Sequence, residues 1–100
     1  MNKNMSKDQY PPINVINAIR GFPSGKLKLK ITPYRFQLPD GRAFTIKKVR
    51  RMTSQNVGNF KHYHFAVQTR DGRFFHIVFD TGNVTWKLVQ EVDEELFFND

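Results

Sequence analysis

The segment Lys47-Lys48-Val49-Arg50-Arg51 carries the most concentrated charge in the sequence. Clustered lysine and arginine side chains attract phosphate groups over long distances, and they bind them in a strongly salt-dependent way. Such a cluster is also typical of a solvated strand edge, where charge discourages pairing between sheets. The sequence therefore leaves two interpretations open: a contact surface for a polyanion, and a protective surface with no ligand.

More basic residues precede this segment, and they alternate with apolar residues as in a strand with one cationic face. Together, the predicted phosphate-contacting residues are Lys26, Lys28, Lys30, Arg35, Lys47, Lys48, Arg50 and Arg51. Side chains of this kind contact the nucleic-acid backbone and do not read bases. We expect no aromatic stacking surface beside them, because Tyr34 and Phe36 fall on the inward phase of their strand.

Three histidines, His62, His64 and His76, are predicted to project from the same face of one hairpin. A His-x-His pair with a third histidine is a conceivable zinc site. In the predicted register, however, Asp80 is the only nearby acidic residue that could orient an imidazole. We therefore predict no metal site and no cofactor. The imidazoles could instead make this surface sensitive to pH.

The sequence offers little that could perform catalysis. It has no cysteine nucleophile, no carboxylate pair at matched positions, and no glycine-rich phosphate loop after a strand. Asp40, Asp71 and Asp80 occupy turn positions, and Ser24 and Ser54 have no neighbouring base. We expect a binding protein and not an enzyme.

The composition indicates one small folded domain. The chain has 100 residues, a formal net charge of +7, 14% aromatic residues and no cysteine. So much large apolar surface excludes a disordered chain, and the lack of cysteine excludes a disulfide-stapled domain. No apolar run approaches the roughly 20 residues that span a bilayer. Because the first 25 residues also lack a secretory signal, we expect a cytoplasmic protein with no membrane contact.

A flexible segment at 1–11 and a short helix at 12–20 are predicted to precede the strands, and an acidic-aromatic tail at 93–100 follows them. Ile13, Ile16 and Ile19 would form one stripe of the helix. Pro12 suits its first turn, and Gly21 suits the residue just past its end.

Period-two alternation predicts five strands, at 26–38, 42–52, 61–69, 73–80 and 84–92. The first strand is expected to bend at Pro33, where the alternation slips by one residue. The spacing of Ile46, Val49 and Met52 indicates either a bulge or one helical turn. The polar segment 53–59 is predicted to be a loop that could rim a binding edge.

Turn residues predict the register of three hairpins. Three-residue loops at 39–41 and 70–72, and a turn at 80–83, place Phe36 opposite Phe44, Tyr34 opposite Ile46, Val67 opposite Phe75, Phe65 opposite Ile77, Tyr63 opposite Phe79, and Phe79 opposite Val84. The predicted inner face is Leu27, Leu29, Ile31, Tyr34, Phe36, Leu38, Phe44, Ile46, Tyr63, Phe65, Val67, Phe75, Ile77, Phe79, Val84, Trp86 and Leu88. We expect an all-β fold: a five-stranded antiparallel meander that forms a small barrel or a strongly bent sheet, with one short N-terminal helix.

The opposite face of the later strands is unusually apolar, because Phe74, Val78 and Val89 share it. This patch needs cover, which could come from the helix, the tail or a partner. Two functions remain. The leading one is a small non-catalytic module that binds a polyanion, with nucleic-acid backbone as the best candidate. The alternative is a protein-interaction or self-associating module that uses Phe74, Val78, Val89, Leu96, Phe97 and Phe98.

Overall fold

A computed structural model describes residues 10–20 and 30–93, which form six antiparallel strands in a closed barrel. The strands are β1 (Pro12–Ile19), β2 (Ile31–Gln37), β3 (Ala43–Val57), β4 (Phe60–Thr69), β5 (Phe74–Asp80) and β6 (Thr85–Val92). Each strand pairs with the next along the chain, and β1 closes the barrel by pairing with β6 at Pro12–Lys87 and Ile13–Trp86. The predicted small antiparallel barrel is confirmed, but it has six strands where the sequence predicted five.

The sixth strand is β1, and the predicted helix at 12–20 is wrong. Ile13 is 8% exposed and lies in the core, whereas Ile16 is 64% exposed. The three isoleucines therefore do not form one buried helical stripe. β-Branched residues suit a pleated strand, and Pro12 is tolerated there because it is the first residue of the strand.

The predicted slip in the first long strand is confirmed, but its position was wrong. Ile16 pairs with Arg35 and Asn17 pairs with Pro33, so Tyr34 is the extra residue of a bulge. Pro33 is fully buried, and Tyr34, which was predicted to point inward, is 52% exposed. The predicted part of this strand at 26–29 lies outside the described residues, as does most of the predicted flexible segment.

The two glycine turns have the predicted three-residue loops. Gly41 and Gly72 adopt φ angles of 96° and 85°, which a residue with a Cβ atom disfavours. The predicted register of β4 with β5 is confirmed throughout: Val67–Phe75, Phe65–Ile77 and Tyr63–Phe79. Phe36 also pairs with Phe44 as predicted, but the described pairing of β2 with β3 stops before Tyr34 and Ile46.

The last turn differs from its prediction. Phe79 pairs with Trp86 and not with Val84, because the turn occupies 81–84. The Asp80 carboxylate organises this turn by accepting a hydrogen bond of 2.8 Å from the Gly82 amide. Val84 adopts a φ of 55° and is exposed, so its predicted place on the inner face is wrong.

The polar segment 53–59 is also not a loop. β3 continues to Val57, and its second half pairs with β4 as far as Val57–Phe60. The turn between them is Gly58-Asn59, where Gly58 has a φ of 61°. Polar side chains are accommodated here because this end of β3 is exposed over most of its length.

Aromatic rings fill the barrel. Phe75 contacts Phe36 and Phe44 at ring-centroid distances of 5.1 and 4.9 Å. Trp86 contacts Phe65 and Phe79 at 5.4 and 5.0 Å. The buried core cluster comprises Ile13, Ile31, Phe36, Leu38, Phe44, Phe65, Val67, Phe75, Ile77, Phe79 and Trp86.

Candidate nucleic-acid interface

Two bulges in β3 bring the predicted cations of that strand to the outer face. Ile46 pairs with Thr69 and Lys48 with Gln68, so Lys47 is an extra residue. Val49 then pairs with Val67 and Arg51 with Ala66, so Arg50 is a second extra residue. This observation settles the question that the three-residue spacing left open: the stretch is bulged strand and not a helical turn.

The bulges change the strand's period from two to three. Ile46 and Val49 pack against the core cluster, and Met52 pairs with the buried Phe65. Lys48 and Arg51 pair with residues of the outer face. Ile46 and Val49 are therefore each followed by two residues that the core does not require, and in this sequence all four of those residues are cations. A regular strand would bury or expose every second residue and would divide these cations between two faces.

Hydrogen bonds fix two members of this cationic surface. The Arg50 guanidinium donates to Gln68 Oε1 at 3.0 Å, and the Arg35 guanidinium donates to Thr45 Oγ1 at 3.0 Å. Gln68 and Thr45 are neutral acceptors. Lys47 and Lys48 are exposed. The hydrogen bond to Thr45 places Arg35 beside β3, two residues before Lys47 along that strand.

Several acidic side chains of the described residues are engaged elsewhere. Asp40 binds Arg42 at 2.9 Å, and the Arg42 amide and guanidinium hold the pKa of Asp40 below its usual value. Glu91 binds Arg73 at 2.8 Å. Asp80 lies 3.3 Å from His62 and also caps its own turn. The basic side chains that contact these three carboxylates are therefore Arg42, Arg73 and His62, none of which belongs to β3.

Lys30 is exposed and immediately precedes β2. The Arg20 amide donates to the Lys30 carbonyl at 2.9 Å, so these two cations are neighbours. Arg20 was not among the predicted contacts, since the sequence placed it at the end of a helix. Lys26 and Lys28, which were predicted to act with Lys30, lie outside the described residues.

A groove opens where β2 and β3 separate. Among the described residues, β2 pairs with β3 only at 35–37 and 43–45, and β3 then continues along β4. The groove has a volume of about 520 Å³ and is lined by Arg20, Lys30, Ile31, Thr32, Val49, Met52 and Phe65. It combines an apolar floor with two cations at its rim. Sequence reasoning missed it because the strands were assumed to pair over their full length.

The apolar patch of the alternative function is largely buried, in agreement with the expectation that it needs cover. Phe74 is 5% exposed and Val78 is 3% exposed, although both alternate with the core residues of β5. Val89 is half-buried. These side chains are therefore covered within the single chain, and Ile13 belongs to the core instead of serving as a lid. Leu96, Phe97 and Phe98 lie outside the described residues.

The histidines of β4 and β5 bind each other and their neighbours. His64 Nδ1 lies 2.8 Å from His76 Nε2, and His64 Nε2 lies 3.2 Å from Gln55 Oε1. His62 is buried and contacts Asp80 instead. Within residues 10–20 and 30–93, no group of three or more histidine, aspartate or glutamate side chains is arranged to hold a metal ion.

Scans against protein-family models, curated proteins and solved structures find no match to this chain. The part of the chain that the structure describes contains no helix of the length and apolarity that a membrane crossing requires.

Proposed function

We propose that this chain is a cytoplasmic, non-catalytic binding module for nucleic-acid backbone or a similar polyanion. Its contact surface comprises Lys30, Arg35, Lys47, Lys48, Arg50 and Arg51, together with the predicted Lys26 and Lys28. The observation that carries the proposal is the pair of bulges in β3, which gathers four cations on one side of a strand whose other side is apolar.

The bulges are an argument for a binding surface because each of them interrupts the regular pairing of β3 with β4. In an unbulged strand, residues that face the core are two positions apart, whereas Ile46 and Val49 are three apart. The extra residues that the bulges accommodate are Lys47 and Arg50. Bulges commonly re-aim side chains next to functional sites. β3 pairs with β4 along this stretch, but among the described residues its other edge is unpaired beyond Thr45. A protective charged edge is therefore the alternative that the binding measurement must exclude.

Salt-dependent binding tests the proposal. The affinity for a fluorescent oligonucleotide is measured by anisotropy at several salt concentrations, for the unmodified chain and for Lys48→Glu. Loss of one phosphate contact should reduce the slope of log affinity against log salt by roughly 0.7–0.9. Lys61→Glu is the matched control, because it makes the same change in net charge at an exposed position near the other end of β4.

A polyanion surface requires that Lys48→Glu weaken binding much more than Lys61→Glu does. Equal effects would mean that only net charge matters, and no binding by the unmodified chain at low salt would exclude the function. The elution volume of the same samples addresses the alternative. A dimer that binds no oligonucleotide would favour self-association, although the burial of Phe74 and Val78 argues against the surface predicted for it.

A further inference from the structure

We propose that the ligand is a single-stranded nucleic acid, whose unpaired bases contact Tyr34 and the groove between β2 and β3. This inference rests on the proposed function, since the cationic surface supplies the backbone contacts. It adds that the groove binds bases. It therefore predicts a higher affinity for single strands than for duplexes or for polyanions without bases.

Tyr34 supplies the aromatic ring that the sequence did not lead us to expect on this surface. The bulge in β2 turns it outward, beside Arg35, while Pro33 takes the core position. A half-exposed ring contributes less hydrophobic stabilisation to the fold than a fully buried ring does. Aromatic side chains next to cations are the usual platform for unpaired bases, because every base presents a π-face.

Tyr34 and part of the groove lining belong to the same strand, β2. Thr32 lines the groove and lies two residues before Tyr34, a distance of about 7 Å in a strand. Its apolar floor includes Val49 and Met52, and Arg20 stands at its rim. An apolar floor suits the faces of bases, while Arg20 and Lys30 in the groove lining suit the phosphates that connect them. This complementarity identifies the occupant as a single strand.

A duplex does not match these features. Its bases are stacked on one another, so their faces are not accessible to Tyr34 or to the groove. A polyanion without bases would use the cations alone. The distinguishing prediction is therefore that Tyr34 contributes to the binding of single strands only.

The experiment compares three probes at one salt concentration: an oligothymidylate of about 12 nucleotides, a duplex of equal length, and inorganic polyphosphate. Tyr34→Ala should lower the affinity for oligothymidylate by about tenfold, because one stacked base is lost. Its affinity for the duplex and for polyphosphate should not change. Tyr34→Phe, which keeps the ring, should bind oligothymidylate like the unmodified chain.

Phe60→Ala is the matched control, since Phe60 is also an exposed aromatic residue but lies at the turn between β3 and β4. Circular dichroism and thermal melting establish that each variant is folded. If Tyr34→Ala and Phe60→Ala bind oligothymidylate equally well, or if the unmodified chain prefers the duplex, the inference is overturned. The proposed function would survive either result, provided that Lys48→Glu still weakens binding. It fails separately if Lys48→Glu has no effect on any probe.

Discussion

Arg73 and Glu91 are joined by two hydrogen bonds of 2.8 Å, from Nε and from Nη2 of the guanidinium to the two carboxylate oxygens. The same guanidinium lies 5.0 Å from the ring centroid of Phe44 and 5.6 Å from that of Phe75. One side chain thus connects the end of β6 to the aromatic cluster inside the barrel. The fork of the arginine matches the carboxylate, which a lysine could not do.

Glu91→Gln should lower the melting temperature by at most a few degrees at neutral pH, because the Arg73–Glu91 pair is more than a third exposed and solvent screens it. At a pH well below 4.5 the substitution should leave the melting temperature unchanged. The hydrogen bonds from Arg73 hold the pKa of Glu91 below its ordinary value of 4.5. As the pH falls, Glu91 therefore binds a proton at a higher pH in the unfolded chain than in the folded chain. The stabilisation that Glu91 contributes is present above pH 4.5 and is lost as the pH falls through the folded-state pKa. Melting curves of both proteins between neutral pH and a pH well below 4.5 measure the difference. A difference that stays constant over this range would show that charge is not its cause.

Ile13→Ala should destabilise the protein by about 3 kcal/mol, because it opens a cavity in the core. Ile16→Ala should cost less than about 0.5 kcal/mol, because its side chain is exposed. Denaturant unfolding of the two variants measures both values. The helix predicted from the sequence would bury the two isoleucines alike, so equal losses would contradict the strand.

The contrast between these isoleucines shows where sequence reasoning failed. A spacing of three residues over a short segment fits a helix, but it also fits a strand in which two of the three residues are exposed. What makes β1 a strand is its pairing with β2 and β6, and those partners are distant in the sequence. Local pattern cannot reveal such pairing. β4 and β5 were predicted correctly because the turn at Gly72 sets their register locally.

The part of the candidate site that the sequence predicted is likewise the part that depends on local sequence. The four cations of β3 lie within five consecutive residues, so the sequence alone was enough to find them. The exposure of Tyr34 and the groove depends on which residue of β2 is bulged, and Pro33 or Tyr34 could equally have taken the core position. The structure assigns the core to Pro33, whose lack of an amide hydrogen suits an irregular position in the sheet.

Val49→Asp should destabilise the barrel by about 3 kcal/mol, because it places a carboxylate against the core. Lys48→Asp, one residue earlier, should have an effect within about 0.5 kcal/mol. The two values follow from the period of three in β3, in which Val49 packs inward and Lys48 is exposed. Denaturant unfolding measures both. Comparable losses would mean that the strand is not bulged as described.

Gly72→Ala should destabilise the protein by about 1–2 kcal/mol through the backbone alone. Gly72 has a φ of 85°, and a Cβ atom there would meet no atom within 4 Å, so no steric contact contributes. Gly72→Asn should cost less, because asparagine tolerates the left-handed region better than alanine does. Unfolding in urea would give the order glycine, asparagine, alanine from most to least stable. An alanine variant as stable as the asparagine variant would show that the turn can adopt a conformation with negative φ, in which case Gly72 does not determine the register of β4 and β5.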